Sequence, residues 1–400
     1  MRSPKPQAWA PAALAARGAA LQSLLTETEA LWAPKPFEDL SPPWAETHPA
    51  LAAFLDGLGD EALTHFEAAP DDLRLALAPW VPALAEAAPL LVLPGSTAAP
   101  SGVAVSHVSA RKRAQIEAFI HALPRPEAET GIDWCGGKGH LSRALHQRFG
   151  LRLCVVDKDQ ALLTAGQALA KGLPLRFENR DVLRGPSAPL EAHALFALHA
   201  CGGLHDAALT AVIGQNLPSL ALAPCCYGLH RGATGHWESW AATTTPSAAF
   251  DASALRLAVA DLATAPAGVR ARRTRELELR QAFDAFQRAT WGRNAYLPCP
   301  SFPASVIDGG FEAFAQAAAR HHGLALPSPI DAGRWLALGR SRAALARRRS
   351  LLRLAFGRLI ELRIIFDRAL WLGEQGRNVA VSTFCDRSLS PRNVMIKAWR

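Results

Sequence analysis

Over the first ninety residues, apolar positions recur with helical period and polar positions fill the gaps. Leu51, Phe54, Leu55 and Leu58 fall on one helical face. Proline-rich breaks around Pro34, Pro36, Pro42 and Pro43 separate the helical segments of 7–90. Trp9, Trp32, Trp44 and Trp80 read as packing residues of these helices. Residues 94–106, with Pro94, Gly95, Ser96, Pro100, Ser101 and Gly102, read as a linker. A helix then starts at Ser109 and runs to about Leu123. Its first turn holds Arg111, Lys112 and Arg113, which oppose the helix dipole. They lie either on a surface turn or against a carboxylate or phosphate.

From Gly131 the rhythm changes to short apolar runs alternating with helical patterns. Strands are expected at 130–134, 151–156, 175–178, 194–199 and 220–223. Helices are expected at about 139–149, 159–171 and 205–213. Leu151 to Val156 is apolar apart from Arg152, as a buried parallel strand requires. The alternation implies an α/β fold with a doubly wound, mostly parallel sheet. After Tyr227 the rhythm stops. Residues 231–350 read as mostly helical, with a further helix over 351–374. Two β-like runs follow, 378–384 and 393–399, around the turn-rich Cys385 to Arg392, and they are read as an antiparallel closing pair. The expected organisation is an N-terminal helical domain (1–105), the first part of the sheet domain (106–230), an Arg-rich insertion (231–350), and a C-terminal helix with a closing β-hairpin (351–400).

Charge adds a partner class. The 400 residues carry a net charge of +8, which suits a polyanion, and Arg residues cluster over 270–280 and 340–368. The expectation is a nucleic acid. Seven cysteines at irregular spacing give no secreted disulfide framework. The Ala-rich run from Ala8 to Ala16 is broken by Pro11 and continues into an amphipathic pattern, so it is not read as a signal peptide. A cytoplasmic protein is expected. No stretch of about 20 uncharged apolar residues suggests a membrane span.

The chemistry concentrates at the strand ends, where open α/β sheets bind ligands. Strand one ends in Asp133, Trp134, Cys135 and a turn with Gly136, Gly137 and Gly139. Strand two leads to Asp157 and Lys158, strand three to Asp181 and Val182. His199, Cys201 and Gly202 follow strand four; Pro224, Cys225, Cys226 and Tyr227 follow strand five. The glycines allow a close backbone approach, and the helix N-terminus behind them favours an anionic or polar ligand. Asp157, 18 residues after Gly139, suits two ribose hydroxyls, because Asp159 is available to cap the next helix. Asp181 suits an exocyclic amine. A dinucleotide site wants G-x-G-x-x-G, but here Ser142 stands at the third glycine. That favours S-adenosylmethionine over nicotinamide.

Three stretches, Asp133 to Ser142, Ala197 to Gly202 and Pro224 to Tyr227, resemble class I S-adenosylmethionine-dependent methyltransferases. The subgroup contains the methyltransferase-like protein 25 family, the glutathione S-transferase C-terminal-domain-containing protein and a tRNA 2′-O-ribose methyltransferase. Phe366 to Gln375 and Ser390 to Asn393 are similar to the tail of the methyltransferase-like 25 members. The resemblance covers about 106–230 and 355–400. It implies a Rossmann-like methyltransferase sheet and direct in-line methyl transfer, with RNA as the acceptor. Asp133, Trp134, Cys135, Gly137, Gly139, Asp157, Lys158, Asp181, Val182 and His199 would hold the cofactor. One departure is Cys135, which replaces the first glycine of the family's motif.

His199 is the candidate base and Tyr227 a candidate to stack on a flat acceptor or face the sulfonium. Cys225 after Pro224 resembles the Pro-Cys pair of enzymes that attack cytosine through a thiolate. Cys225 and Cys226 therefore join His199 and Tyr227 as catalytic candidates. A metal on His199, Cys201, Cys225 and Cys226 would fit the residue types, yet the C-x₂-C spacing is missing, so no metal is assigned. Cys201 and Cys226 otherwise read as small packing residues. The competing functions are a non-catalytic nucleic-acid-binding protein that keeps the fold, and a protein or small-molecule methyltransferase.

Overall fold

The computed structural model describes residues 8–95, 106–184, 192–229, 237–242, 250–259 and 267–400. Residues 96–105 of the expected linker, and much of 231–266, lie outside them. The chain divides into two compact units. One comprises residues 1–26, 86–260 and 357–400; the other comprises 27–85 and 261–356.

The first unit contains the sheet. Its seven strands are β1 (Thr130–Trp134), β2 (Arg152–Asp157), β3 (Leu175–Asn179), β4 (Ala194–Cys201), β5 (Ser219–Cys225), β6 (Asn378–Thr383) and β7 (Val394–Trp399). Their order is β3-β2-β1-β4-β5-β7-β6. The first five are parallel; β7 runs antiparallel between β5 and β6. The α/β, Rossmann-like sheet with a reversed last strand is therefore as expected, and the closing pair does enter the sheet. Ile116, Phe119 and Ile120 of the helix Ala110–His121 pack with Leu141, Leu145, Leu153, Phe196, Phe384 and Met395 into one buried cluster.

Two strands run further than their apolar patterns indicate. β4 continues through His199 to Cys201, across a register shift between Leu198 and Ala200. β5 continues through Pro224, which cannot donate to a ladder. β7 pairs with β5 only as far as Leu222, so one edge of the strand is unclaimed where the proline stands.

The helix over 351–374 is the end of a longer one, Ala332–Glu374. Its apolar and Arg positions interleave because both are buried. Arg358 pairs with Glu361 at 2.5 Å, and Arg368 with Asp206 at 2.8 Å and Asp367 at 2.6 Å. Asp367 also accepts from the Trp240 N–H, and the Arg368 guanidinium lies 4.0 Å from the centre of the Trp240 ring. Asn393 donates to the Cys385 carbonyl and accepts from Arg358, so it ties the β6–β7 turn to the helix. The tail motifs are thus internal ties. In the second unit Arg342 pairs with Asp284, Arg347 with Glu67 and Arg349 with Asp56. Most of the Arg over 340–368 is accordingly structural, which corrects the expectation that this cluster faces a polyanion.

That second unit is helical. Leu279, Phe283, Phe286, Phe311 and Phe314 form its buried cluster on the helices Ala267–Trp291 and Gly310–His321. No helix among the described residues is long and apolar enough to cross a membrane.

Candidate active site

The site lies at the carboxyl ends of β1 to β5. At the end of β1, the buried Asp133 carboxylate accepts from the Ser142 N–H at 3.1 Å and its hydroxyl at 2.7 Å. Burial pushes its pKa up to about 6. The bond ties strand to helix across the glycine turn, and the turn is built for it. A Cβ on Gly136 would lie 2.5 Å from the Asp133 carboxyl carbon. Gly137 and Gly139 both have left-handed backbones, with φ of 55° and 66°. Cys135 adopts the same conformation, φ 56°, without glycine's freedom. Trp134 is buried and its indole N–H donates to the Leu204 carbonyl at 2.9 Å.

Asp157 ends β2. One carboxylate oxygen accepts from the Gly137 N–H and the other from the Asp159 N–H, both at 3.0 Å. Asp159 caps the next helix through the N–H groups of Ala161 and Leu162. Asp157 is thus spared the capping task, and each of its oxygens keeps a lone pair for a ligand. Lys158, next to it, is exposed. Asp181 stands after β3, accepts from the Leu183 N–H and pairs with Arg184 at 3.2 Å; Val182 beside it is half-buried.

The β4 and β5 ends are built differently. His199 sits at the β4 irregularity with φ 63°, and Cys226 follows β5 with φ 50°. Bulges re-aim a side chain, and left-handed non-glycine residues mark positions that the surroundings enforce. Burial, with Lys112 and Arg392 nearby, lowers the His199 pKa to about 4, so the imidazole is neutral at pH 7. Cys201 and Cys225 are register partners, their sulfurs 3.1 Å apart. Together with the Cys226 sulfur they all lie within 4.8 Å of one another. The Cys201 and Cys225 thiols stabilise a Cys226 thiolate and hold its pKa well below the ordinary value, and the Cys201 contact pushes Cys225 up. Tyr227 is only 1% exposed and packs edge-on against His205 at 5.7 Å, leaving no open ring face.

Of the basic turn at 111–113, Arg111 donates to the backbone carbonyl of Leu389. Lys112 is within electrostatic reach of Asp133, Cys201 and Cys225. Arg392, in the β6–β7 turn, reaches His199 and Cys226. Sequence reasoning did not single out Arg392 as a site residue. Its only signal was its place in the tail stretch Ser390 to Asn393.

No curated protein matches the chain. Similar solved structures include human N-acetylserotonin methyltransferase in complex with SAM, 16% identical over 28% of this chain and 36% of that one, TM-score 0.24. Another is a SAM-bound amino pentose methyltransferase from Micromonospora echinaspora, 21% identical over 28% and 47%, TM-score 0.21. A third is coclaurine N-methyltransferase bound to N-methylheliamine and SAH, 11% identical over 52% and 63%, TM-score 0.25. The chain thus spans between 36% and 63% of the length of these proteins. Residues 111–231, which carry β1 to β5 and every residue of the site except Arg392, match the family model described as a methyltransferase domain.

Proposed function

We propose that this chain is an S-adenosylmethionine-dependent methyltransferase. One observation carries the reading: within the matched domain, a carboxylate stands at the carboxyl end of each of the first three strands, and the second is bonded to the glycine turn of the first. The residues fit an adenosyl cofactor. Asp157 is only half-buried, and each of its oxygens accepts from one backbone N–H, which leaves each a lone pair for a ribose hydroxyl. Asp157 would take the ribose hydroxyls and Asp181 the adenine amine, flanked by Lys158 and Val182. Asp133, Trp134, Cys135 and Gly139 shape the turn toward the methionine end.

The cofactor supplies a methyl group on a sulfonium, and transfer is an in-line displacement that needs alignment above all. His199, neutral at pH 7, accepts the proton of a hydroxyl acceptor. Lys112 and Arg392 give this end positive potential, which suits an acceptor carrying phosphate. Tyr227 acts by packing against His205. The acceptor class we propose is RNA. Ion pairs remove equal numbers of both signs, so the surplus of +8 survives the internal pairing of Arg340 to Arg368. Exposed residues such as Arg272 and Arg273 carry part of it. The subgroup with a tRNA 2′-O-ribose methyltransferase is consistent with a hydroxyl acceptor. Seven free cysteines support a reducing compartment, the cytoplasm.

A second reading, a fold retained without catalysis, rests on the strained Cys135 in the turn. The full-length protein incubated with radiolabelled cofactor and fractionated cell extract separates the readings. Label in RNA is the expected outcome. Label in protein or small molecules overturns the acceptor class. No label, together with no calorimetric binding of S-adenosylhomocysteine, overturns methyl transfer.

A further inference from the structure

The three thiols have no task in the methyl transfer derived above. We propose that Cys201, Cys225 and Cys226 together hold one thiophilic metal ion, with zinc the divalent ion they fit. Adjacent strands bring Cys201 and Cys225 into register. In an extended strand Cys226 would point away from Cys225. Its left-handed backbone, φ 50°, instead brings the third sulfur to the other two. A tetrahedral zinc–thiolate centre has Zn–S near 2.3 Å, hence sulfurs about 3.8 Å apart. The observed separations, 3.1 Å for Cys201–Cys225 and none above 4.8 Å, bracket that distance. Changes of about an ångström or less in the sulfur separations suffice.

Charge agrees with the geometry. Three thiolates and a divalent ion leave one negative charge, and Lys112 and Arg392 are within reach of the thiols to offset it. His199 is not part of the three-sulfur cluster. Three protein ligands leave the fourth tetrahedral position open, as in sites where zinc binds water or a reacting group. The site escapes a spacing search because its ligands come from two strand ends, Cys201 lying 24 residues before Cys225, and not from one C-x₂-C loop.

The test uses the full-length protein, purified without chelator and loaded with zinc, then desalted. Metal is counted by mass spectrometry, and affinity is read by competition with a chromophoric chelator. Wild type and Cys299→Ser, which alters a cysteine outside the cluster, are expected to retain about one equivalent. Cys226→Ser is expected to lose it, with at least about 100-fold weaker binding. Circular dichroism confirms that each variant is folded. If Cys226→Ser does not fold, cobalt loading of the wild type decides, with thiolate-to-cobalt charge-transfer bands expected. Wild type that binds no metal, a Cys226→Ser protein that binds as well, or a Cys201–Cys225 disulfide found under reducing purification overturns the proposal. None of these readouts depends on methyl transfer.

Discussion

The two halves of the site edge solve the same problem in opposite ways. At the β1 and β2 ends, carboxylates are locked by backbone N–H groups: Asp133 by Ser142, Asp157 by Gly137 and Asp159. Gly137 and Gly139, with Cys135 between strand and turn, supply the left-handed conformations, and the carboxylates are already hydrogen-bonded there. At the β4 and β5 ends, a strand irregularity, two left-handed non-glycine residues and three crowded thiols do the positioning. One half presents oriented carboxylates, to which we assign the cofactor's hydroxyls and amine; the other presents a neutral imidazole and sulfur. A cofactor common to many enzymes suits the first half, and chemistry particular to this chain suits the second.

The comparison breaks most visibly at His199. If it is the base, His199→Gln lowers the rate of methyl transfer to a hydroxyl by about 10²- to 10⁴-fold, well beyond any loss of S-adenosylhomocysteine affinity. The pH dependence carries a sign. Because the His199 pKa is lowered to about 4, the imidazole stays neutral from about pH 5 upward. The wild-type kcat/KM then falls only in acid, with a limb near pH 4 that disappears in His199→Gln. Protonation of Asp133, whose pKa burial raises to about 6, would weaken its bonds to Ser142 in wild type and variant alike, so only the difference between their profiles reports on His199. A His199-dependent limb near 6.5 would show an imidazole in ordinary solvent contact.

At the opposite half the expected loss is in binding. Asp157→Ala removes an acceptor from two backbone N–H groups as well as from the ligand. Affinity for S-adenosylhomocysteine should fall about 100-fold or more by calorimetry, since charged hydrogen bonds contribute roughly 1.5–3 kcal/mol each. Affinity within tenfold of wild type would detach Asp157 from the cofactor.

The two halves were also unequally legible. The ends of β1, β2 and β3 follow from local rules: an apolar run, an acid, glycines, and Asp159 as a cap that spares Asp157. Those rules act over a few residues, so the sequence carries them. β4 was expected to stop at His199, because a bulge has no local signature, and it continues to Cys201. The thiol cluster depends on the register of two strands, which periodicity does not report. The Arg-rich helix failed for the same reason. Interleaved Arg and Leu describe an exposed amphipathic face unless the acids arrive from elsewhere, and Asp206 lies 162 residues from Arg368.

A smaller effect tests the packing beneath the cradle. Gly166→Ala would ordinarily stabilise a helix by about 0.5–1 kcal/mol. Here the added Cβ would lie 2.5 Å from the Phe177 ring and 3.0 Å from the Lys138 backbone. Overpacking of this kind costs about 1–3 kcal/mol, so the sign reverses and thermal unfolding should begin earlier. An unchanged or higher Tm would mean that the helix and the turn are looser than drawn.

The smallest effect has the sharpest sign. Cys135 holds φ 56°, where an L-residue is strained by roughly 1–2 kcal/mol and glycine is not. Cys135→Gly relieves that strain but adds about 0.5–1 kcal/mol of chain entropy to the unfolded state. The net gain is between roughly 0 and 1.5 kcal/mol, close to the precision of a melting curve at its lower end. Cys135→Ala supplies the contrast, because it removes the same sulfur and keeps the strain. At an ordinary position Ala is the more stable of the two; here Gly should be, by up to about 1 kcal/mol. S-adenosylhomocysteine affinity should match or exceed wild type in Cys135→Gly, since the turn already has the shape a glycine would give it. If Ala proves the more stable, the turn at 135 is not left-handed in solution, and the cradle half owes its shape to something other than the glycine-like path of its backbone.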